Sequence, residues 1–426
     1  MKFENVELEI QREPFVRPFS FKGSSFHEKW NLVVRLDDGA GNEAFGIGGL
    51  AVLWSDPEVF AAHTEIGGNV LQTSLLEFAL QLVRGWEFDC PLTMHDEILP
   101  LVHAYGQKVT GNEDLRRTFT LISLVALDNA AWMLKAKHDR IGNFDGLIPA
   151  TFRPFLSHRQ KHVAIVPAVG YNLPEETLRQ MLDGGVYILK VKIGQPGAES
   201  EMVEKDIERM QDVHQIASSY ATDMTDSGRI FYYLDSNGRY GEKESLLRLI
   251  DAGEKDGWLE QLLLIEEPFD EAVRPDVTDI PVCLAADESL HCIEDVRIRK
   301  QEGYRAIAIK PAGKTLSLGF RMAQAAAEEE MIPFVADNAC VPILVDWNKN
   351  VAARLPSFPG VKGGILESNG PENYGTWQQM LDSHPCAGAS WLQPKRGAFV
   401  LDEDYYQQSG GVFEPPTPYI SLFRNS

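Results

Sequence analysis

The chain has 426 residues, 44% of them hydrophobic and 24% charged, with 62 acidic residues against 40 Lys and Arg and a formal net charge of −22. Enough apolar material for a large core argues against disorder, and the length exceeds the roughly 250 residues of one barrel domain. The acidity and the lack of a Lys/Arg cluster argue against nucleic acid or an anionic membrane as a partner.

No apolar run approaches the roughly 18 residues that span a bilayer. The stretch 121–127 is among the longest, and Ser123 interrupts it. Residues 1–14 are polar and hold no apolar signal segment. Cys90, Cys283, Cys292, Cys340 and Cys386 are scattered with no Cys-x-x-Cys, which fits reduced thiols in a cytoplasmic protein better than a zinc site or disulfide frame.

In chain order, 31–36 reads as a strand, Asp38-Gly39 and Gly41-Asn42 as a turn, and 44–53 as a returning strand. The glycines from Gly39 to Gly49 resemble a phosphate loop only superficially, because no strand-to-helix context or Lys-Ser/Thr follows; a hairpin fits. Asp56-Pro57 opens a helix in the cap and first-turn positions. Leu71, Leu75, Phe78 and Leu82 recur at helical spacing, as do Leu115, Ile122, Ala126 and Met133. Strands first and helices after make an α+β domain of residues 1–160. From His162 the texture changes to short apolar strands alternating with amphipathic helices. Strands are predicted at 163–167, 186–193, 230–235, 262–266, 282–287, 306–310, 332–336 and 364–367. Eight such strands predict a parallel (β/α) barrel over residues 161–399. Residues 400–426 are polar, with Gly410-Gly411 and Pro415-Pro416, and are expected to return to the N-terminal domain.

The alternation within these strands places their charges. In Tyr187-Ile188-Leu189-Lys190-Val191-Lys192-Ile193, Lys190 and Lys192 share a face opposite Leu189 and Val191, so both should point into the barrel. Two buried ammonium groups need anions beside them. Asp235, Glu266 and Asp287 end the next three strands in the same inward register. Carboxylates converging at the mouth of a barrel form a hard oxygen site suited to Mg²⁺, with Mn²⁺ as an alternative. Ala306-Ile307-Ala308-Ile309-Lys310 turns a further lysine inward on the strand opposite that of Lys192. Two opposed lysines flanking a cation are arranged to take a proton from one face of a carbon and return it to the other. A proton α to a carboxylate needs such a cation to stabilise the enediolate, and a lysine base needs a lowered pKa, expected here from Lys190 and the metal.

At these residues the sequence resembles the enolase superfamily, in its muconate lactonizing enzyme-like subgroup. The matching pieces are Lys190-Val191-Lys192-Ile193-Gly194, Leu234-Asp235-Ser236-Asn237, Ile265-Glu266-Glu267-Pro268, Ala286-Asp287-Glu288-Ser289 and Ile309-Lys310-Pro311, within a likeness running from about residue 30 to 410. The resemblance implies a modified TIM barrel, (β/α)₇β, under an N-terminal α+β capping domain, with Asp235, Glu266 and Asp287 binding Mg²⁺. It gives Lys192 and Lys310 the roles of acid and base, and Lys190 one of tuning and binding. Register selects Glu266 over Glu267 for the metal. Asn237, Asp337 and Glu367 are further substrate-contact candidates. Two capping-domain loops, 19–26 and 48–55, supply others, including Lys22 and Trp54, although an ordinary turn and a core tryptophan are the plainer readings there.

Some features depart from the pattern. Met133 stands where an Asp is common, and no His follows strand seven in Pro333-Phe334-Val335-Ala336-Asp337-Asn338. Lys310-Pro311 is closer to the o-succinylbenzoate synthases, and Glu367-Ser368-Asn369 stands where dipeptide epimerases carry Asp-x-Asp. His291 reads as a helix-start residue. The leading expectation is therefore a divalent-metal-dependent racemase or epimerase of a small carboxylate, in a homo-oligomer. A lyase or cycloisomerase on the same scaffold is the runner-up, and a retaining glycosidase or a non-catalytic binding barrel stands further off.

Overall fold

The computed structural model describes residues 1–425. Its first element is an antiparallel sheet of β1 (Asn5–Phe21), β2 (Ser24–Asp37) and β3 (Glu43–Gly49), in that order. Lys22 and Gly23 join β1 to β2 with φ of 50° and 73°, the left-handed pair that a two-residue hairpin turn requires. At the next turn the Asp38 carboxylate accepts from the backbone of Ala40 and Asn42, so the glycine-rich stretch is a hairpin, as expected. The returning strand stops at Gly49 instead of running on to Leu53, and Val52–Ser55 is a short helix, α1. β1 itself carried no clear sequence signal, since its side chains alternate imperfectly and mostly face solvent.

Three long helices follow, α2 (Pro57–Val83), α3 (Pro91–Thr110) and α4 (Arg117–Asp139). Asp56 caps α2 by accepting from Glu58 and Val59, with Pro57 in the first turn. Gly46 of β3 lies against α4, where a Cβ would fall 2.1 Å from the Ala126 carbonyl oxygen; only glycine permits that approach. α4 is long and apolar enough to cross a membrane, yet it is the core helix, with nearly all its side chains buried. It also ties the two sheets together. The Asp128 carboxylate accepts from the Ser317 amide at 3.0 Å, and Trp132 donates to the Ser317 hydroxyl at 3.0 Å.

The second sheet contains every expected barrel strand: β4 (His162–Val166), β5 (Ala168–Val169), β6 (Ile188–Lys192), β7 (Phe231–Asp235), β8 (Leu262–Glu266), β9 (Leu284–Ala286), β10 (Ala306–Ile309), β11 (Ile332–Val335) and β12 (Gly364–Glu367). β4 and β5 are one strand interrupted by Pro167. β4 pairs with β12 and β5 pairs with β6, so eight parallel strands close on themselves. Helices follow the strands except between β8 and β9, where residues 267–283 cross without one. β13 (Ala398–Val400) adds antiparallel to β4 outside the barrel. Beyond it, Tyr406 donates to the Gln160 carbonyl at the barrel edge, and Phe423 lies 5.7 Å from Phe45 of β3. One continuous apolar core runs through the N-terminal sheet, α4 and the barrel.

Candidate active site

Every inward charge inferred from strand alternation reaches the C-terminal mouth of the barrel, beneath the N-terminal hairpin. Lys190, only 2% exposed, places its ammonium group 2.9 Å from Asp235, 2.6 Å from Glu266 and 2.8 Å from Glu367. Lys192 pairs with Asp235 at 2.5 Å and donates to Asn237 Oδ1 at 3.0 Å. Lys310 pairs with Asp287, and its ammonium group lies 4.3 Å from the centre of the Trp54 ring. The Lys192 ammonium lies 5.6 Å from the Phe21 ring. β6 and β10 are four strands apart in a closed ring of eight, so Lys192 and Lys310 enter from opposite walls. Both line a single cavity, roofed by Phe19, Phe21, Phe26 and Trp54 of the N-terminal domain.

The electrostatics follow from these contacts. Burial disfavours the charged Asp235 carboxylate, but Lys190 and Lys192 overrule it and hold the group far below the ordinary range. Asp287 behaves likewise between Lys310 and Lys314. Glu266 goes the other way: burial and the neighbouring Asp235 and Asp287 charges push it well up, outweighing Lys190. Burial alone would lower Lys190 and Lys310, yet the carboxylates hold both above the usual lysine value. Lys310 is thus held above the usual value, and not lowered, while its carboxylate partner faces an ammonium group.

Among the described residues, no group of three or more His, Cys, Asp and Glu side chains is gathered to hold a metal ion. The donor chemistry nevertheless fits a hard cation. Glu266 Oε1 is buried with no hydrogen-bond partner, Glu266 is crowded by two like charges, and the Lys190 ammonium already bridges Glu266 and Asp235.

The remaining candidates divide by what they touch. Asn237, at φ 48°, bridges Lys192 and Glu288, donating to the latter at 2.9 Å. Glu367 points inward but has both oxygens engaged, by Lys190, the Asp337 amide and the Asn369 side chain. Asp337 lines the cavity while accepting from the Cys340 and Asn369 amides. Lys22 does not line the cavity; it reaches down from the hairpin to Glu288 at 3.2 Å. Trp54 is buried, and its ring lies beside Lys310 and Lys314. Glu267 turns away from the cavity and accepts from the Asp287 amide and the Ser289 hydroxyl. His291 precedes the helix Ile293–Glu302, as expected.

Two residues at the site escaped the sequence reading. Lys314 sits 3.2 Å from Asp287 Oδ1, brought there by the single helical turn Pro311–Lys314; its spacing of four from Lys310 was the available signal. Tyr233 donates to Glu266 at 2.7 Å, and it shares the inward face with Asp235, two residues on.

No protein-family model matches the sequence, and no curated protein matches it either. Solved structures do match. A mandelate racemase/muconate lactonizing protein from Herpetosiphon aurantiacus superposes with a TM-score of 0.65 at 16% identity, covering 94% of this chain and 96% of that one. A dipeptide epimerase from Enterococcus faecalis V583, complexed with Mg and L-Leu-L-Tyr, gives 0.65 at 16% identity over 95% and 98%. An N-succinyl Arg/Lys racemase from Bacillus cereus ATCC 14579 gives 0.63 at 15% identity over 88% and 89%. Closed barrel, three-stranded cap and near-complete mutual coverage agree: the chain has the fold of the mandelate racemase/muconate lactonizing enzyme-like proteins.

Proposed function

We propose that this chain is a racemase or epimerase acting at the carbon α to a carboxylate of a small substrate. The observation that carries the reading is the entry of Lys192 and Lys310 into one cavity from opposite barrel walls. Asp235, Glu266 and Asp287 would hold a divalent cation, Mg²⁺ or Mn²⁺, whose charge makes the α-proton of a bound carboxylate acidic enough to remove. Lys192 and Lys310, released from Asp235 and Asp287, then act from the two faces. One takes the proton as a neutral amine, and the ammonium of the other returns a proton on the far side. The Phe21 and Trp54 rings steer the two side chains and keep water from the reacting carbon. Tyr233 and Lys190 fix Glu266. Epimerases and racemases among the structures of the same fold support the reaction type, and the Mg and dipeptide in the E. faecalis complex support the cation and the substrate size.

Incubation of dipeptides and N-acylamino acids with the protein and Mg²⁺ in D₂O tests this. The wild type should place deuterium at the α-carbon of both stereoisomers. Lys192→Ala and Lys310→Ala should each stop interconversion while leaving wash-out of the α-proton from one stereoisomer only. Absence of metal-dependent exchange across the panel, or unchanged turnover in either variant, overturns the assignment.

A further inference from the structure

Beside the lysine cavity lies a larger chamber that opens to solvent. Its walls come from the β1–β2 hairpin, the loop after β5 and the segment after β12, and Phe19, Lys192 and Asn369 line both spaces. Any substrate whose reacting carbon meets Lys192 must therefore extend into this chamber or leave it empty. Most of its polar groups are already engaged. The Tyr171 hydroxyl donates to the Ile193 and Gly194 carbonyls, Ser20 and Ser25 bond to each other, and the Asn369 amide is held by Glu367 and the Ala168 amide. Glu372 differs. Its Oε2 is buried without a hydrogen-bond partner, and it makes no ion pair among the described residues.

We propose that this chamber is the subsite for the part of the substrate beyond the reacting carbon, and that it takes a cationic group, an alkylammonium or a guanidinium, paired with Glu372. This rests on the proton-transfer reading for its orientation, with Lys192 at the inner end. Phe19 and Tyr171 also line the chamber, and aromatic rings attract a cation placed over them. Burial pushes the Glu372 carboxyl up to about 7, Asp337 adding to the effect and Arg17 opposing it, so a cation at its side relieves a real cost of ionisation. Of the two cationic side chains in the chamber's walls, Lys192 is held at the inner end by Asp235 and Asn237, and Arg17 is exposed at the rim, where solvent and salt screen it.

Calorimetric binding to the Mg²⁺-loaded protein distinguishes the outcomes, using Ala-Lys, Ala-norleucine and Ala-Glu dipeptides and the same pairs in reverse order. The lysine peptide, in one order or the other, should bind about tenfold more tightly than its norleucine counterpart, and the glutamate peptide more weakly still. Glu372→Gln should erase the lysine preference without lowering the melting temperature. Equal binding of lysine and norleucine peptides by the wild type, binding of none, or a preference that survives Glu372→Gln overturns the subsite. Deuterium exchange is read on the same peptides. Selective binding without exchange keeps the subsite and removes the racemase reading, whereas exchange without selectivity does the reverse.

Discussion

Lys29 carries an ammonium group into the seam between β2 and the end of β11 with no exposure to solvent, and its one hydrogen-bond acceptor is the Asn338 carbonyl. Burial drives its pKa down to about 8, with Cys340 and Asp337 only partly compensating. The unfolded chain keeps this proton up to 10.5 and the folded chain releases it near 8, so between those values the unfolded state binds more protons and the protein gains stability as pH rises. Below pH 8 the full penalty applies, about 3 kcal/mol as an upper figure for that gap. The Asn338 carbonyl would lose about 1 kcal/mol of hydrogen bonding if Lys29 were replaced by an apolar chain. Lys29→Met is therefore expected to be more stable than the wild type by about 2 kcal/mol at pH 7, with the advantage shrinking towards pH 10.5. Urea unfolding at the two pH values checks this. A variant that is less stable at pH 7 would show that Lys29 is paired more strongly than its contacts indicate.

At the scale of elements, what was legible depended on whether a strand had two distinct faces. β6, β7, β8 and β10 are walled by apolar side chains on one side, so their alternation announced Lys190, Lys192, Asp235, Glu266 and Lys310. β1 has no such contrast, and Lys314 is delivered by one helical turn, for which a spacing of four from Lys310 was the one signal. Lys29 and the contacts of Lys22 depend on how the cap seats on the barrel, which local pattern does not encode. The missing helix between β8 and β9 belongs to the same class, since the general alternation of strands and helices suggested a complete unit. The β1–β2 hairpin is the element through which the cap reaches the chemistry. Lys22 pairs with Glu288, Glu288 accepts from Asn237, and Asn237 holds Lys192. Lys22→Met leaves Glu288 buried without its cation and loosens this chain. We expect kcat/KM for exchange to fall about tenfold as Lys192 loses its alignment. Chymotrypsin should also cut faster at Phe19, Phe21 and Phe26, the aromatic roof of the cavity. Proteolysis at the wild-type rate would mean that the ion pair does not hold the hairpin down.

For the molecule as a whole, the net charge of −22 and the fold meet at the barrel mouth. Asp235, Glu266, Asp287 and Glu367 are all buried there among four lysines, and Glu266 is still pushed up by its like-charged neighbours, so a cation beside it relieves a repulsion that water does not screen. A divalent cation that binds only the folded chain must stabilise it by mass action, by about 2.7 kcal/mol at a hundred times its Kd. Because one apolar core runs through the cap and the barrel, this gain should be felt by the entire chain. Calorimetry should show a single transition that rises with Mg²⁺ or Mn²⁺ and returns on chelation. A chain this acidic also attracts cations over its surface, so a shift alone is not specific. The Glu266→Gln, Asp287→Asn double variant separates the two effects, since it alters the net charge by only two and leaves the surface intact. Loss of the shift in that variant places the cation among Asp235, Glu266 and Asp287. A shift of the same size in both proteins would assign it to the surface and leave the barrel mouth to its lysines.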